Sequence, residues 1–180
     1  QNHRRLVEAY LEEYPGYYHT GDGGYFDEDG YLYIMGRTDD VINVAGHRLS
    51  TGEMEAIVAD HPAIAECAVI GIQDPDKGQV PIGLIVVKDN VSQTVTEIEG
   101  DLVQSLRVDI GAFANFKRCV QVERLPKTRS GKILRKTLRQ IADNLPVEIP
   151  ATIDDPAILS EISDCMISAG VGAIAVQNRG

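Results

Sequence analysis

The sequence predicts an α+β fold, a small domain with a short central sheet flanked by helices, and three observations predict it. Strand-like and helix-like apolar patterns follow one another in the order β, β, α, β, β, α, β, α. Val80 to Val87 is an apolar run of eight residues with Pro81 and Gly83 inside it, continuous enough for a strand buried on both faces and far short of the roughly 20 residues that span a bilayer. Hydrophobic residues make up 43% and charged residues 24% of the 180, a composition that folds. The length allows one ordinary domain of roughly 100 to 150 residues plus extra segments.

Each element has a local reason. Tyr25 to Ile34 contains strand, Asp29-Gly30 turn and strand, a hairpin signal with little core of its own. Val41 to Val44, an Ala-Gly turn and Arg48 to Ser50 predict a second small hairpin. Thr51 is the expected N-cap of a helix reaching Asp60, because Met54, Ile57 and Val58 recur at helical spacing and Glu53 and Glu55 occupy the first turn. His61-Pro62 stops it. Strands follow at Ile64 to Ile72 and Val80 to Val87, then a helix with an apolar stripe at Val95, Ile98, Leu102, Leu106 and Ile110, ended by Gly111. Cys119 to Val122 reads as a further strand. Ile133, Leu134, Leu138 and Ile141 form the apolar face of a final helix. Past Pro146 the chain reads as an acidic tail with a weak repeat at Ile158, Ile162 and Met166, and Gly170 to Gly180 carry no pattern.

Seventeen basic residues against 27 acids give a net charge of −10, which repels a nucleic-acid duplex at long range. From Lys117 to Arg139, however, nine basic residues face the single acid Glu123. Such a segment either meets a polyanionic ligand or balances acids elsewhere in the fold. Cys67, Cys119 and Cys165 are widely spaced and odd in number, as expected of small buried hydrophobes in a reducing compartment. His3, His19, His47 and His61 have no metal-ligand spacing, so no protein-held metal is expected. The first residues, Gln1 to Arg5, are polar and lack a leader's apolar stretch. The chain therefore reads as a fragment that begins within a longer protein.

Three motifs carry chemistry. Tyr18-His19-Thr20-Gly21-Asp22-Gly23-Gly24 brackets an aspartate with glycines before a hairpin. A carboxylate held there can accept hydrogen bonds from both hydroxyls of a ribose, although an Asx turn needs no more. In Gly36-Arg37-Thr38-Asp39-Asp40 through Gly46-His47-Arg48, two arginines flank a short hairpin and could hold sugar and phosphate oxygens. Asp39-Asp40 reads as a joint between elements. The plainer alternative is an Arg-Asp ion-pair network. The third motif is Leu125-Pro126-Lys127-Thr128-Arg129-Ser130-Gly131-Lys132-Ile133. A phosphate-binding P-loop fails there, because Ile133 stands where Ser or Thr is needed and the earlier glycine is missing. Lys132, set at a helix start after a Ser-Gly turn, remains a point charge that can follow a phosphate.

Taken in order, these motifs over about residues 10 to 144 resemble the adenylate-forming enzymes: acyl-CoA synthetases, peptide-synthetase adenylation domains and luciferases. Asn43, Ala45-Gly46-His47-Arg48 and Lys127 to Lys132 most resemble short-chain acyl-CoA synthetases. Ala151-Thr152-Ile153-Asp154-Asp155-Pro156 is similar to the propionyl-CoA synthetases. The resemblance implies that Asp22 and Arg37 hold the ribose of ATP, that Arg48 approaches the α-phosphate, and that Lys132 is the catalytic adenylation lysine. Gly46 would line the pantetheine path of CoA, Arg107 would meet its 3′-phosphate, and Asp39 would be the hinge of a swinging domain. The family's usual proline after Gly111 is replaced by Ala112, which loosens that loop.

The domains implied are an incomplete edge of a large adenylation domain at 1–38, the small C-terminal domain at 39–146 and the acidic tail at 147–180. ATP with Mg2+ and CoA would be the cofactor and co-substrate. The Mg2+, the phosphate loop and the acyl pocket would lie mainly in an N-terminal domain, so this chain is expected to be inactive alone. Further partners implied are a short-chain carboxylate, propionate before acetate, and a lysine acyltransferase and deacylase acting on Lys132. No nucleic acid or membrane is expected, and the location would be bacterial cytoplasm or the mitochondrial matrix. Two other classes stay open: an adenylation domain that loads a carrier protein, and a non-catalytic nucleic-acid or partner-binding module.

Overall fold

The structure, a computed structural model, describes residues 3–147 and 149–177, apart from the side chains of Arg5, Ala9, Met35, Asp39, Val176 and Gln177. The chain divides into two compact units, Gln1–Asp39 and Asp40–Gly180. The first holds helix α1 (His3–Tyr10), not foreseen from a segment with few apolar residues, and the antiparallel strands β1 (Asp22–Phe26) and β2 (Leu32–Arg37). The expected hairpin is there, and it reaches further than the alternating core of the motif, to the pair Asp22 and Arg37. The Asp27 carboxylate builds its turn by accepting from the N–H groups of Asp29 and Tyr31 at 3.1 and 2.8 Å. Within this unit Tyr25, Phe26, Tyr31, Leu32, Tyr33 and Ile34 are all exposed.

The second unit begins with the last residue of a 3-10 turn, Thr38–Asp40, and continues through β3 (Val41–Val44), β4 (His47–Ser50), α2 (Thr51–Ala59), β5 (Ile64–Asp74) and β6 (Gly78–Val87). Helix α3 (Val95–Asp109), a second 3-10 turn (Ala112–Ala114), β7 (Cys119–Gln121), α4 (Arg135–Ala142), α5 (Ile158–Ala169) and α6 (Gly172–Gln177) complete it. The sheet runs in the order β4-β3-β6-β5, all antiparallel, and β7 adds in parallel to β6. Strand β6 is therefore central, and Pro81 through Ile85 are buried, as its apolar run requires.

The two faces of the sheet make two cores because side chains alternate along a strand. Ala68, Ile70 and Ile72 with Ile82 and Leu84 pack under α4 and α5, against Leu138, Ile141, Ile158, Ile162 and Met166. Val69 and Ile85 with Ile42 and Val44 pack under α2 and α3, against Met54, Val58, Ile98, Leu102 and Leu106. The weak repeat at Ile158, Ile162 and Met166 is thus the buried stripe of a 12-residue helix. This is the expected α+β architecture.

Two local expectations change. The cap of α2 is Ser50, not Thr51: the Ser50 hydroxyl accepts from the Glu53 N–H at 3.3 Å, and Thr51 is the first helical residue, buried at 5% exposure. Helix α4 begins at Arg135, so Lys132 stands before it, not at its start. Ile133 is held in a bridge with Lys127, and the Leu134 N–H donates to the Pro126 carbonyl at 2.9 Å. Helix α3 fits its stripe and starts with a capping box, Thr94 and Glu97 bonding each other's backbone N–H.

Candidate functional site

In the first unit the cross-strand register sets Asp22 opposite Arg37. The Arg37 guanidinium donates to the Thr20 carbonyl at 2.9 Å and lies 3.9 Å from the Asp22 carboxylate. That second separation is longer than a hydrogen bond, so the carboxylate oxygens stay available to hydroxyl donors. Both side chains are exposed, at 39% for Asp22 and 51% for Arg37. Gly21 makes the arrangement possible: it has φ +76°, and a Cβ there would sit 2.8 Å from Arg37 Nη2. Thr38 closes the corner, its N–H and hydroxyl both donating to the Gly21 carbonyl at 2.8 and 3.0 Å. Asp39 follows in the 3-10 turn at the division between the two units; its side chain lies outside the described residues.

In the second unit β3 and β4 turn through Ala45 and Gly46, both at positive φ (+48° and +90°), the two-residue geometry that matches strand twist. The Asn43 amide oxygen accepts from the Gly46 N–H at 3.1 Å, and the Ala45 N–H donates to the Lys77 carbonyl at 2.8 Å. A Cβ on Gly46 would meet nothing within 4 Å, so left-handed backbone rather than crowding calls for glycine. Arg48 pairs with Asn43 in the register and is exposed, while its neighbour Leu49 is buried. The His47 ring lies 4.7 Å from that of Phe113. This contact joins the Gly46 turn to the loop that follows α3.

Arg107 stands exposed in the last turn of α3, where a cation also offsets the helix dipole. It lines a cleft of about 140 Å³ with Leu106, Gly111, Asn115, Phe116 and Lys117. Two cations therefore border one small opening lined by Phe116, and among the described residues neither makes an ion pair. The structure thus brings Gly46, Arg48 and the Arg107 loop to one neighbourhood.

Lys132 belongs to a tight hairpin. The Thr128 N–H donates to the Lys132 carbonyl at 2.8 Å, the Gly131 N–H to the Thr128 carbonyl at 2.8 Å, and the Lys132 N–H to the Thr128 hydroxyl at 3.1 Å. That hydroxyl also lies 3.0 Å from the Ser130 hydroxyl. The turn expected at Ser130-Gly131 is present, with Gly131 at φ +85°. Among the described residues the Lys132 ammonium has no hydrogen bond or ion pair, and no such bond links its hairpin to the Gly46 turn.

Other members of the basic segment are neutralised from outside it, which answers for them the choice between ligand and balancing acids. Arg118 reaches Glu99 at 3.5 Å, Arg124 reaches Asp155 and Glu161 at 2.7 and 2.8 Å, and Lys127 reaches Glu66 at 2.6 Å. Arg135 makes a two-pronged contact with Glu55 at 2.8 and 2.6 Å and lies 3.8 Å from Asp40. These hydrogen bonds hold its guanidinium pKa above the ordinary value. Glu55 also accepts from the buried Val69 N–H at 2.8 Å. Sequence reasoning missed this pair, since its members are 80 residues apart and each looks like an ordinary helix charge.

Cys119 is buried, Cys67 and Cys165 are half-buried, and all three are free thiols. Among the described residues no group of three or more His, Cys, Asp or Glu could hold a metal ion, and no helix is long and apolar enough to cross a membrane.

Comparison with known proteins agrees with this architecture. An uncharacterized protein of Pseudomonas aeruginosa is 63% identical over 161 residues, covering 89% of this chain and 26% of its own length. Acyl-CoA synthetase short-chain family member B, mitochondrial, of Dictyostelium discoideum is 52% identical over 154 residues, covering 86% of this chain and 22% of its own. The chain thus spans about a quarter of the length of these relatives. The crystal structure of ATP-bound MatB from Rhodopseudomonas palustris superposes with a TM-score of 0.62 at 26% identity, over 74% of this chain and 25% of that one. Residues 53–132 match the family model of the AMP-binding enzyme C-terminal domain, and the second unit has the small α+β fold of mixed sheet and helices that matches that domain.

Proposed function

We propose that this chain supplies the C-terminal quarter of an AMP-forming short-chain acyl-CoA synthetase, with propionate preferred over acetate. The observation that carries the reading is the 52% identity to a short-chain acyl-CoA synthetase along most of the chain. The exposed Lys132 ammonium, without a hydrogen bond or ion pair among the described residues, and the Asp22–Arg37 pair support it. The propionate preference rests on the resemblance of Ala151 to Pro156 alone. In this reading residues 1–38 complete a large N-terminal domain, 39–146 form the mobile small domain, and 147–180 extend it. The location is bacterial cytoplasm, or the mitochondrial matrix in a eukaryote.

The chemistry has two halves. A carboxylate oxygen attacks the α-phosphorus of ATP, the bond to the β-phosphate oxygen breaks, and pyrophosphate leaves. Asp22 and Arg37 hold the ribose of ATP, the Asp22 carboxylate accepting from its hydroxyls. Arg48 and Lys132 stabilise charge on the α-phosphate and the attacking carboxylate by fixed positive charge. The CoA thiolate then attacks the acyl carbon and AMP leaves. For that half the small domain turns about Asp39, withdraws Lys132 and presents the Gly46 turn to the pantetheine arm, with Arg107 on the 3′-phosphate. Acylation of Lys132 by a lysine acyltransferase would remove its charge and switch off the first half, and a deacylase would restore it.

The test is ATP–pyrophosphate exchange in the enzyme that contains this chain, with propionate and with acetate. Lys132→Ala should lower exchange by about 10²-fold or more and still convert supplied propionyl-adenylate to propionyl-CoA. Residues 1–180 alone should show no exchange. Product formation on free CoA excludes a carrier-loading enzyme. Loss of both halves in Lys132→Ala would refute the assigned role.

A further inference from the structure

The match to the AMP-binding enzyme C-terminal domain ends at Lys132, yet the hairpin that bears this lysine is completed by residues beyond the match. The chain returns over residues 150–154 and pairs with the hairpin's first strand. The Arg129 N–H donates to the Thr152 carbonyl at 3.0 Å, the Asp154 N–H donates to the Lys127 carbonyl at 2.9 Å, and Thr128 and Ile153 face each other in an antiparallel bridge. Lys127 and Ile133 form the corresponding bridge on the other side. The segment Lys127–Arg129 is therefore the middle of three short extended stretches joined by isolated bridges.

The outer strand is itself anchored. Ile153 is 4% exposed and packs in the same core as Ile158, Ile162 and Met166. Just beyond it, Arg124 binds both Asp155 and Glu161 and so ties the entry of α5 to the segment after β7. Lys127 is fastened to Glu66 on β5. A two-stranded hairpin alone is marginal in water, whereas a third strand resting on a core supports it.

We propose that Thr152–Asp154 is a positioning strand for Lys132, which fixes the hairpin so that the ammonium is presented at a constant place. The strand touches no substrate and acts only through Lys132. Its catalytic consequence rests on the role proposed for that lysine, while its structural half does not. Displacement of a reacting charge by about 1 Å can cost on the order of 10²-fold in rate, so a loosened hairpin should weaken the adenylating half specifically.

Two substitutions at one position separate backbone from side chain. Asp154→Pro removes the N–H given to Lys127, and Asp154→Ala keeps it. In the 180-residue chain, 15N relaxation should give order parameters near 0.85 at Gly131 and Lys132 for wild type and Asp154→Ala, and below about 0.6 for Asp154→Pro. Unchanged amide signals of Ile162 and Met166 report that α5 stays folded. Should Asp154→Pro unfold it, Ile153→Ala, a milder loosening of the same anchor, is read in the same way. Order at Gly131 and Lys132 that survives faster exchange of the Arg129 amide would overturn the proposal.

In the enzyme containing this chain, Asp154→Pro should lower pyrophosphate exchange tenfold or more, on the order expected for a displaced charge, and leave thioester formation from supplied acyl-adenylate unchanged. A disordered hairpin with unaltered exchange would overturn the catalytic half. If wild type shows no exchange with either acid, the reading of Lys132 fails, and the relaxation experiment still decides whether the strand orders the hairpin.

Discussion

The contact between Glu55 on α2 and Arg135 at the start of α4 crosses the sheet's edge between helices that belong to its two opposite faces, and its removal should be costly. The side chains are 14% and 28% exposed, so Glu55 left alone would be a largely desolvated charge, while Arg135 would keep only the longer contact with Asp40 at 3.8 Å. Breaking a fully buried pair costs about 3–5 kcal/mol, and the partial exposure of Arg135 lowers the expectation for Arg135→Ala to about 2–3 kcal/mol. Glu55→Ala should cost more, since it also strips the acceptor from the buried Val69 N–H, a loss of about 1 kcal/mol or more. With an m-value of about 2 kcal/mol/M, the urea midpoint of Arg135→Ala should fall by roughly 1–1.5 M. Glu55→Gln, which can still accept from Val69, should fall between wild type and Glu55→Ala. The assay is a double-mutant cycle by urea unfolding, with an expected coupling of about 2 kcal/mol. Additive single losses, with coupling under about 0.5 kcal/mol, would refute the argument that the two charges stabilise one another.

Asp39 tests the proposed domain rotation. Proline fixes φ near −65° and also restricts Thr38, so Asp39→Pro should preserve pyrophosphate exchange and sharply lower thioester formation, whereas Asp39→Ala, with a free backbone, should be milder in the second half. Equal damage to both halves by both substitutions refutes a hinge. Cys67 gives a pH prediction: burial, then the Glu55 carboxylate, push its thiol from the ordinary 9.0 up to about 11. Folding therefore favours the neutral thiol, and its contribution is fully present below pH 9 and is lost as pH rises through about 11. Urea midpoints at pH 8 and pH 10.5 should fall further for wild type than for Cys67→Ala, and parallel declines would refute it.

Much of the fold was legible because it is written in local periodicity. The stripe of Ile98, Leu102 and Leu106 and the run Val80 to Val87 mark their elements without reference to anything distant, and the stripe and the centre of the run, Pro81 to Ile85, are buried as their patterns require. Boundaries were less legible. Ser50 and Thr51 are equally good caps by composition, and the choice fell to the one whose hydroxyl reaches Glu53. Ile133 and Leu134 fit a helical face, but pairing with Lys127 and Pro126 holds them outside α4.

The site divides in the same way. By itself the sequence determined which residue types stand together on short turns: Gly21 beside Asp22, Ala45-Gly46 before Arg48, and Ser130-Gly131 before Lys132. These are dictated by backbone geometry within a few residues, which composition expresses directly. Only the tertiary structure decided which cations of the basic segment are spent on partners and which stay open. Arg124, Lys127 and Arg135 look no different from Lys132 along the chain, yet each meets an acid between 31 and 80 residues away. The weak repeat after Pro146 became a buried helix, and Thr152–Asp154 became the third strand of the lysine hairpin. Such pairings depend on which faces the sheet's alternation leaves to be covered, a property of the assembled layers that no single segment carries.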